Sequence, residues 1–294
     1  MTIATHGKGD SRFDLSAGTI YHLRFGADAD VIGSEMAGWH QAPFLGDSTW
    51  AELLATAVHA PITSAHYKRD QRRKLLFRSV PIPAGVAGLT KDSLLVPLHL
   101  DHDTRARLAV SEKARNARRS DYRLPDDILV EARHRLSALL VVEAPRVRPR
   151  YKVGTVALAP GDVVLLRERD TASPTDRSPR RAPPSTPWLI VSSDLWIELV
   201  SDAAAHTEGL GGLVRQLIAA VPLLNFPASS DEIVVDIPDS QPGLPYGGHC
   251  AFHRIRTRST ERILGVEGPI SDEVLANVAE GLRSFLGLAS TRTT

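Results

Sequence analysis

Cysteine is all but absent. Cys250 is the only one in 294 residues, so no internal disulfide can form and a disulfide-stapled secreted scaffold is excluded. A lone thiol inside a strand-like run reads as a small core residue. Long apolar runs are lacking as well: no stretch approaches the roughly 20 apolar residues that cross a bilayer, and the N-terminal MTIATHGKGDSRF has no apolar core of a signal peptide. Net charge is close to nil, +1 from 35 basic and 34 acidic residues. These absences lead to the expectation of a soluble cytoplasmic protein with no membrane partner. A composition of 43% hydrophobic and 23% charged residues is ordinary for a globular chain, and the length suits one domain or two.

The sequence repeats itself. Ile82 to Ser93 (IPAGVAGLTKDS) and Ile237 to Gly248 (IPDSQPGLPYGG) align without a gap, sharing Ile-Pro and Gly-Leu, and each follows a run of strand character, Leu75 to Ile82 and Glu232 to Ile237. Three further segments recur in the same order. Gly18 to Arg24 matches Gly161 to Arg167, His59 to Ser64 matches Ala220 to Asn225, and Leu124 to Leu140 matches Ile270 to Leu286. Two units of this size indicate a tandem of two domains, not a solenoid.

Each unit opens with an alternating strand, passes through a loop rich in Gly, Pro or Arg, continues through short apolar strands and ends in an amphipathic helix. Strands first and a helix last predict an α+β fold with antiparallel sheets, since parallel pairing needs a crossover between successive strands. The second helix is the better signalled. Ser271 is its expected N-cap, Asp272 and Glu273 suit the positive end, and Val274, Leu275, Val278, Leu282, Phe285 and Leu286 line one face before Gly287. In the first unit Pro125, Asp126 and Asp127 open the corresponding helix. Between the units, Glu143 to Val153 has two prolines and four basic residues and reads as a short stiff linker, with domains at 14–142 and 154–288.

Local charge is uneven. His66 to Arg78 carries Arg72, Arg73 and Lys74 among six cations against Asp70 alone, and Arg177, Arg180 and Arg181 crowd the Pro- and Ser-rich loop Glu168 to Pro187. Such patches suit a phosphate backbone or a solvated surface.

The second unit resembles the MazF/PemK toxins over nearly its whole length. The resemblance rests on the Gly-Asp opening strand at Gly161, PWLIVSSD from Pro187 to Asp194, the Val-Pro-Leu strand at Val221, the Gly-Leu-Pro turn at Gly243, Ile255-Arg256-Thr257 and the closing Leu286 to Leu288. In the first unit Ala84 to Leu95 is close to the family's turn and following strand. The resemblance implies two SH3-like antiparallel β-barrels of the MazF/PemK (CcdB-like) type, each closed by a C-terminal helix. In that family the fold is normally a homodimer that cleaves single-stranded RNA without a metal or other cofactor, so this chain would be a monomer acting as a pseudo-dimer. A cognate antitoxin would be a possible protein partner.

The family places an Arg before the proline of its second strand and a Thr after the Val-Pro-Leu strand. Here the first position reads Ala42 before Pro43 and Thr186 before Pro187, and the second reads Thr63 and Leu224. The chemistry needs a base for the 2′-hydroxyl, donors for the pentavalent phosphate and an acid for the 5′-oxygen. The candidates are Thr63; His40, read as lying in the loop before Pro43; and His253, two residues before Ile255, with Arg177, Arg180, Arg181, Arg72, Arg73 and Lys74 to hold RNA. Arg256 reads as an anchor of the barrel. The alternative is a catalytically inactive relative that binds nucleic acid or a protein partner through the same groove.

Overall fold

The computed structural model describes residues 15–25, 38–49, 56–64, 79–104, 117–142, 147–153, 155–167, 185–198, 217–225, 234–244 and 247–288. Among the described residues eight strands precede the helix α1 (Asp126–Leu139): β1 (Thr19–Phe25), β2 (Gly38–Pro43), β3 (Thr56–His59), β4 (Ile62–Ser64), β5 (Val80–Ile82), β6 (Ser93–Leu95), β7 (Asp101–Thr104) and β8 (Ala117–Arg123). Nine follow it: β9 (Tyr151–Val153), β10 (Val156–Leu158), β11 (Asp162–Arg167), β12 (Ser185–Ile190), β13 (Leu217–Leu224), β14 (Val234–Ile237), β15 (Gly248–Ala251), β16 (Arg256–Ser259) and β17 (Ile263–Pro269), then α2 (Asp272–Phe285).

The two main sheets are antiparallel. The first runs β5-β6-β4-β2-β1-β8, with β3 paired to β7; the second runs β14-β15-β13-β12-β11-β17, with β16 added on β13. β13 is long enough to hold three neighbours. Trp188 to Ile190 of β12 pair with Pro222 to Ala220, while Leu217 to Ala220 pair with β16 and Leu223 and Leu224 with β15. That sharing curls the sheet into a half-barrel. Proline donates no N–H to a ladder, and Pro222 falls where β13 passes from β16 to β15. In the first sheet the same path is split at Ala60 and Pro61 into β3, which pairs β7, and β4, which pairs β6.

Backbone hydrogen bonds recur where the sequence matches pair residues. Gly18 donates to Phe44 and Gly161 to Ile190; Leu45 donates to Val58 and Val191 to Ala219; Leu124 donates to Gly18 and Ile270 to Gly161. The matching loops carry left-handed residues at the same places, Gly85 (φ 85) with Ser240 (φ 72) and Gly88 (φ 70) with Gly243 (φ 72). At Gly88 a Cβ would stand 2.2 Å from the Tyr122 ring, and at Gly243 one would stand 2.9 Å from Glu267 Cγ, so both turns need glycine for conformation and for space.

α2 follows its sequence signals. Ser271 Oγ accepts from the Val274 amide at 3.3 Å, and Val274, Leu275, Val278, Leu282, Phe285 and Leu286 are buried. Cys250 is fully buried in β15, and burial pushes its thiol far up from the usual range. The segment read as a linker does not stand free at its end. Residues 151–153 form β9, Arg148 bonds Ile270 O (2.8 Å) and the Asp272 carboxylate, and Arg150 bonds Ala157 O (3.1 Å) and Asp162 (2.9 Å). Among the described residues no helix is long and apolar enough to cross a membrane.

The N- and C-terminal parts share one apolar core and meet through backbone bonds on two sides. Ser193 donates to Leu139 O at 2.9 Å and Val141 to Val191 O at 2.8 Å, while Asp47 donates to Phe285 O at 3.2 Å. Between these, Thr257 N donates to Leu100 O at 2.8 Å.

Candidate functional site

His40 belongs to β2, in register with Leu23 of β1, and not to a preceding loop as read from sequence. β2 meets β4 at Gln41 and Ile62. One step further along the same antiparallel register would bring His40 opposite Thr63, a placement in which cross-strand Cβ atoms are about 4.5–5.5 Å apart. His40 Nδ1 lies 3.4 Å from Ile62 O. A carbonyl only accepts, so a hydrogen bond here requires the proton on Nδ1, the tautomer in which Nε2 is the accepting nitrogen. Both residues are half-buried, and Thr63 pairs on its other side with Leu94 of β6. Two of the three catalytic candidates are thus neighbours on adjacent strands.

The register also corrects the alignment of the second strand. Gly18 and Gly161 donate to Phe44 and Ile190, so Phe44 and Ile190 are counterparts, and counting back two places along each strand makes Ala42 the counterpart of Trp188. Two places further back, His40 is the counterpart of Thr186. Sequence had set Ala42 there, because aligning Pro43 on Pro187 shifts β2 by two residues. Period-two alternation keeps such a slip on the same face, so no change of hydrophobic pattern gives it away. The counterpart of the His40–Thr63 pair is Thr186 opposite Leu224, by the register of Trp188 with Pro222.

The turn beyond β2 is held by α1. Arg133 donates from Nε to Leu45 O (2.8 Å) and from Nη2 to Gly46 O (2.6 Å). Burial lowers the guanidinium's pKa and the nearby Asp47 carboxylate works against that. These bonds tie the turn that follows β2 to α1.

His253 is placed elsewhere. It sits in a 3-10 turn, Phe252–Arg254, packed on β3, β7, β13 and α2, and is 8% exposed. Arg254 Nε donates to its Nε2 at 3.3 Å. The strand register that joins His40 to Thr63 does not include it. Arg256 Nε pairs with Asp101 Oδ1 at 2.8 Å. Arg72, Arg73, Lys74, Arg177, Arg180 and Arg181 lie outside the described residues. Sequence reasoning missed that His40 and Thr63 lie on adjacent strands, next to the paired Gln41 and Ile62; the signal available was the match of His59–Ser64 with Ala220–Asn225, which ties Thr63 to Leu224 but leaves β2 unplaced.

No family model matches the chain, and no curated protein matches it. Among solved structures it is similar to an endoribonuclease in complex with its cognate antitoxin from a Mycobacterial species, with 18% identity, a TM-score of 0.29, and coverage of 45% of this chain and 96% of that one. It is similar also to MazF of Deinococcus radiodurans, with 20% identity, a TM-score of 0.31, and coverage of 43% of this chain and 96% of that one. A third likeness is to the MazE–MazF complex of the same organism, with 17% identity, a TM-score of 0.29, and coverage of 43% of this chain and 94% of that one.

Proposed function

We propose that the chain is a MazF/PemK-like endoribonuclease that cleaves single-stranded RNA without a metal, at one site built on His40 and Thr63. The observation that carries this reading is the pairing of Gln41 with Ile62 between β2 and β4, which, continued by one residue, would put His40 opposite Thr63, whereas the register of Trp188 with Pro222, continued by two, would put Thr186 opposite Leu224. In the reaction His40 takes the proton of a ribose 2′-hydroxyl. The 2′-oxygen then attacks the adjacent phosphorus, the bond to the 5′-oxygen breaks, and a proton returned to that oxygen completes a 2′,3′-cyclic phosphate and a free 5′-hydroxyl. The Thr63 hydroxyl donates to a non-bridging oxygen as charge gathers there. His253, nearly buried and engaged by Arg254, positions the surrounding turn.

On this reading two copies of one SH3-like barrel, 14–142 and 154–288 with 143–153 between them, form a pseudo-dimer within a monomer. The shared strand order of the two sheets and the recurring hydrogen bonds support it. Arg72, Arg73, Lys74, Arg177, Arg180 and Arg181 hold the RNA backbone, and a cognate antitoxin in the cytoplasm restrains the activity. A second reading, a catalytically silent module that binds nucleic acid or a protein, is favoured by one observation: neither His40 nor Thr186 is the arginine that the family resemblance calls for.

A single-turnover assay on mixed-sequence single-stranded RNA in the presence of a chelator separates them. His40→Ala should slow cleavage on the order of 10²- to 10⁴-fold and Thr63→Ala on the order of 10²-fold, with binding little changed. Salt-sensitive binding with no cleavage by the wild type establishes the silent module instead. Cleavage unaffected by either substitution moves the site away from β2 and β4.

A further inference from the structure

Asp101 and Arg256 hold the same place in their two sheets. Asp101 is the register partner of His59 on β3, and Arg256 is the register partner of Ala220 on β13. Val58 and Ala219, one residue before these, accept from the counterpart amides of Leu45 and Val191. Yet the two positions carry opposite charges, and they meet: Arg256 Nε lies 2.8 Å from Asp101 Oδ1, with side chains 23% and 27% exposed. Beside them Thr257, 8% exposed, donates its hydroxyl to Leu98 O (3.0 Å) and accepts from Leu100 N (2.8 Å). The counterpart of Thr257 is His102, which follows Asp101 as Thr257 follows Arg256.

We propose that the surface joining the two halves is a selective interface, charged so that each half accepts the other and rejects its own kind from a second copy of the chain. The inference rests on the two-copy reading given above. In a symmetric pairing of N-terminal halves Asp101 would face Asp101, and in a pairing of C-terminal halves Arg256 would face Arg256. Like charges brought together in a partly desolvated contact repel, whereas the mixed pairing joins opposite charges through a hydrogen bond. Pairing two N-terminal halves would in addition put His102 where Thr257 stands, with no hydroxyl to serve the Leu98 carbonyl and the Leu100 amide. Only the mixed pairing keeps both features. Tethering already favours it through effective concentration; the charges remove the competing exchange between copies during folding.

The test uses the full chain and no RNA. In urea unfolding, Asp101→Arg and Arg256→Asp should each raise the unfolding equilibrium constant about 10-fold, and the double charge swap should return to within about threefold of the wild type, as coupled neighbours do. For selectivity, wild type, charge swap and the neutral pair Asp101→Asn/Arg256→Gln are refolded from urea at high protein concentration, and dimer is measured by sedimentation. The neutral pair should yield roughly 3- to 10-fold more dimer than the wild type, and the charge swap no more than the wild type. A double swap as weak as the sum of its single changes overturns the pairing. Recovery in urea with equal dimer in all three proteins overturns the selectivity and leaves the pair a local support. Loss or retention of RNA cleavage bears on neither result.

Discussion

Replacing Thr257 by valine keeps the shape of the side chain and deletes its hydroxyl. That oxygen satisfies two backbone groups from the other half of the molecule, the Leu98 carbonyl at 3.0 Å and the Leu100 amide at 2.8 Å, in a position only 8% exposed. A buried backbone group left without a partner costs about 1–3 kcal/mol. With two such groups, and with the backbone bond from Thr257 N to Leu100 O retained, the expected loss is about 2–4 kcal/mol. For a chain of this size each kcal/mol moves the melting temperature by about 2–4 °C, so the midpoint should fall by roughly 5–15 °C. Serine restores the hydroxyl while removing a methyl, so Thr257→Ser should recover more than half of the loss. Urea unfolding of the three proteins gives the comparison at one temperature. A valine variant within about 0.5 kcal/mol of the wild type, or a serine variant as weak as valine, would refute the reasoning, since either result means that water or a shifted backbone satisfies the two groups.

Two further perturbations set opposing effects against each other. Gly281→Ala in α2 would gain about 1 kcal/mol of helix propensity, but the new Cβ would stand 2.6 Å and 2.9 Å from atoms of the Phe252 ring and 2.9 Å from a Val235 methyl, all buried or half-buried. Overpacking of a dense core costs about 1–3 kcal/mol, so the variant should be less stable by chemical denaturation, and a gain in stability would show that the helix can slide away. Arg150→Ala removes the guanidinium that bonds the Asp162 carboxylate at 2.9 Å, where burial already pushes the acid's pKa up against the Ala159 amide and the arginines Arg150 and Arg148. A carboxyl whose folded pKa lies above its unfolded one stabilises the fold when protonated, and that contribution fades as pH rises through the folded value. Without Arg150 the folded pKa rises further, so the cost of the substitution should grow as pH rises through the folded value; a cost independent of pH would show that Asp162 keeps its charge by other means.

What could be read from sequence depended on whether a local signal had a long-range consequence. α2 was legible because capping, charge and apolar spacing agree over 14 residues. The glycine turns were legible because positive φ demands particular residues, and the repeat of Gly88 at Gly243 fixed the register of two loops 155 places apart. β2 was not. Proline is permitted at several points near a strand end, so Pro43 and Pro187 were a poor anchor, and only hydrogen bonds to Phe44 and Ile190 show the offset of two residues. That offset hid the relation of His40 to Thr63, since contact across a sheet is set by register and not by separation in the chain. The partners of Arg148 and Arg150 were hidden for a similar reason: both look like solvated charges until Asp162 and Asp272, the latter far along the chain, supply partners.

The residues that break the correspondence between the two sheets share a property. His40 and Thr186, Thr63 and Leu224, Asp101 and Arg256, and Arg133 and Ala279 are counterparts that differ in charge or in hydrogen-bonding capacity. In a symmetric dimer each side chain makes its contact twice, so a residue must suit both appearances, and a pair such as Asp101 with Arg256 cannot lie across the axis from its own kind. On the proposed two-copy reading, two copies in one chain are free of that condition. One half can keep a histidine and a threonine in register while the other replaces them with a threonine and a leucine. The backbones of the two sheets keep one strand order and matching left-handed turn positions. On this view the side chains that differ between counterparts are the ones to substitute first in search of function, and those that agree, such as Gly88 with Gly243, are the ones whose substitution should cost stability and nothing else.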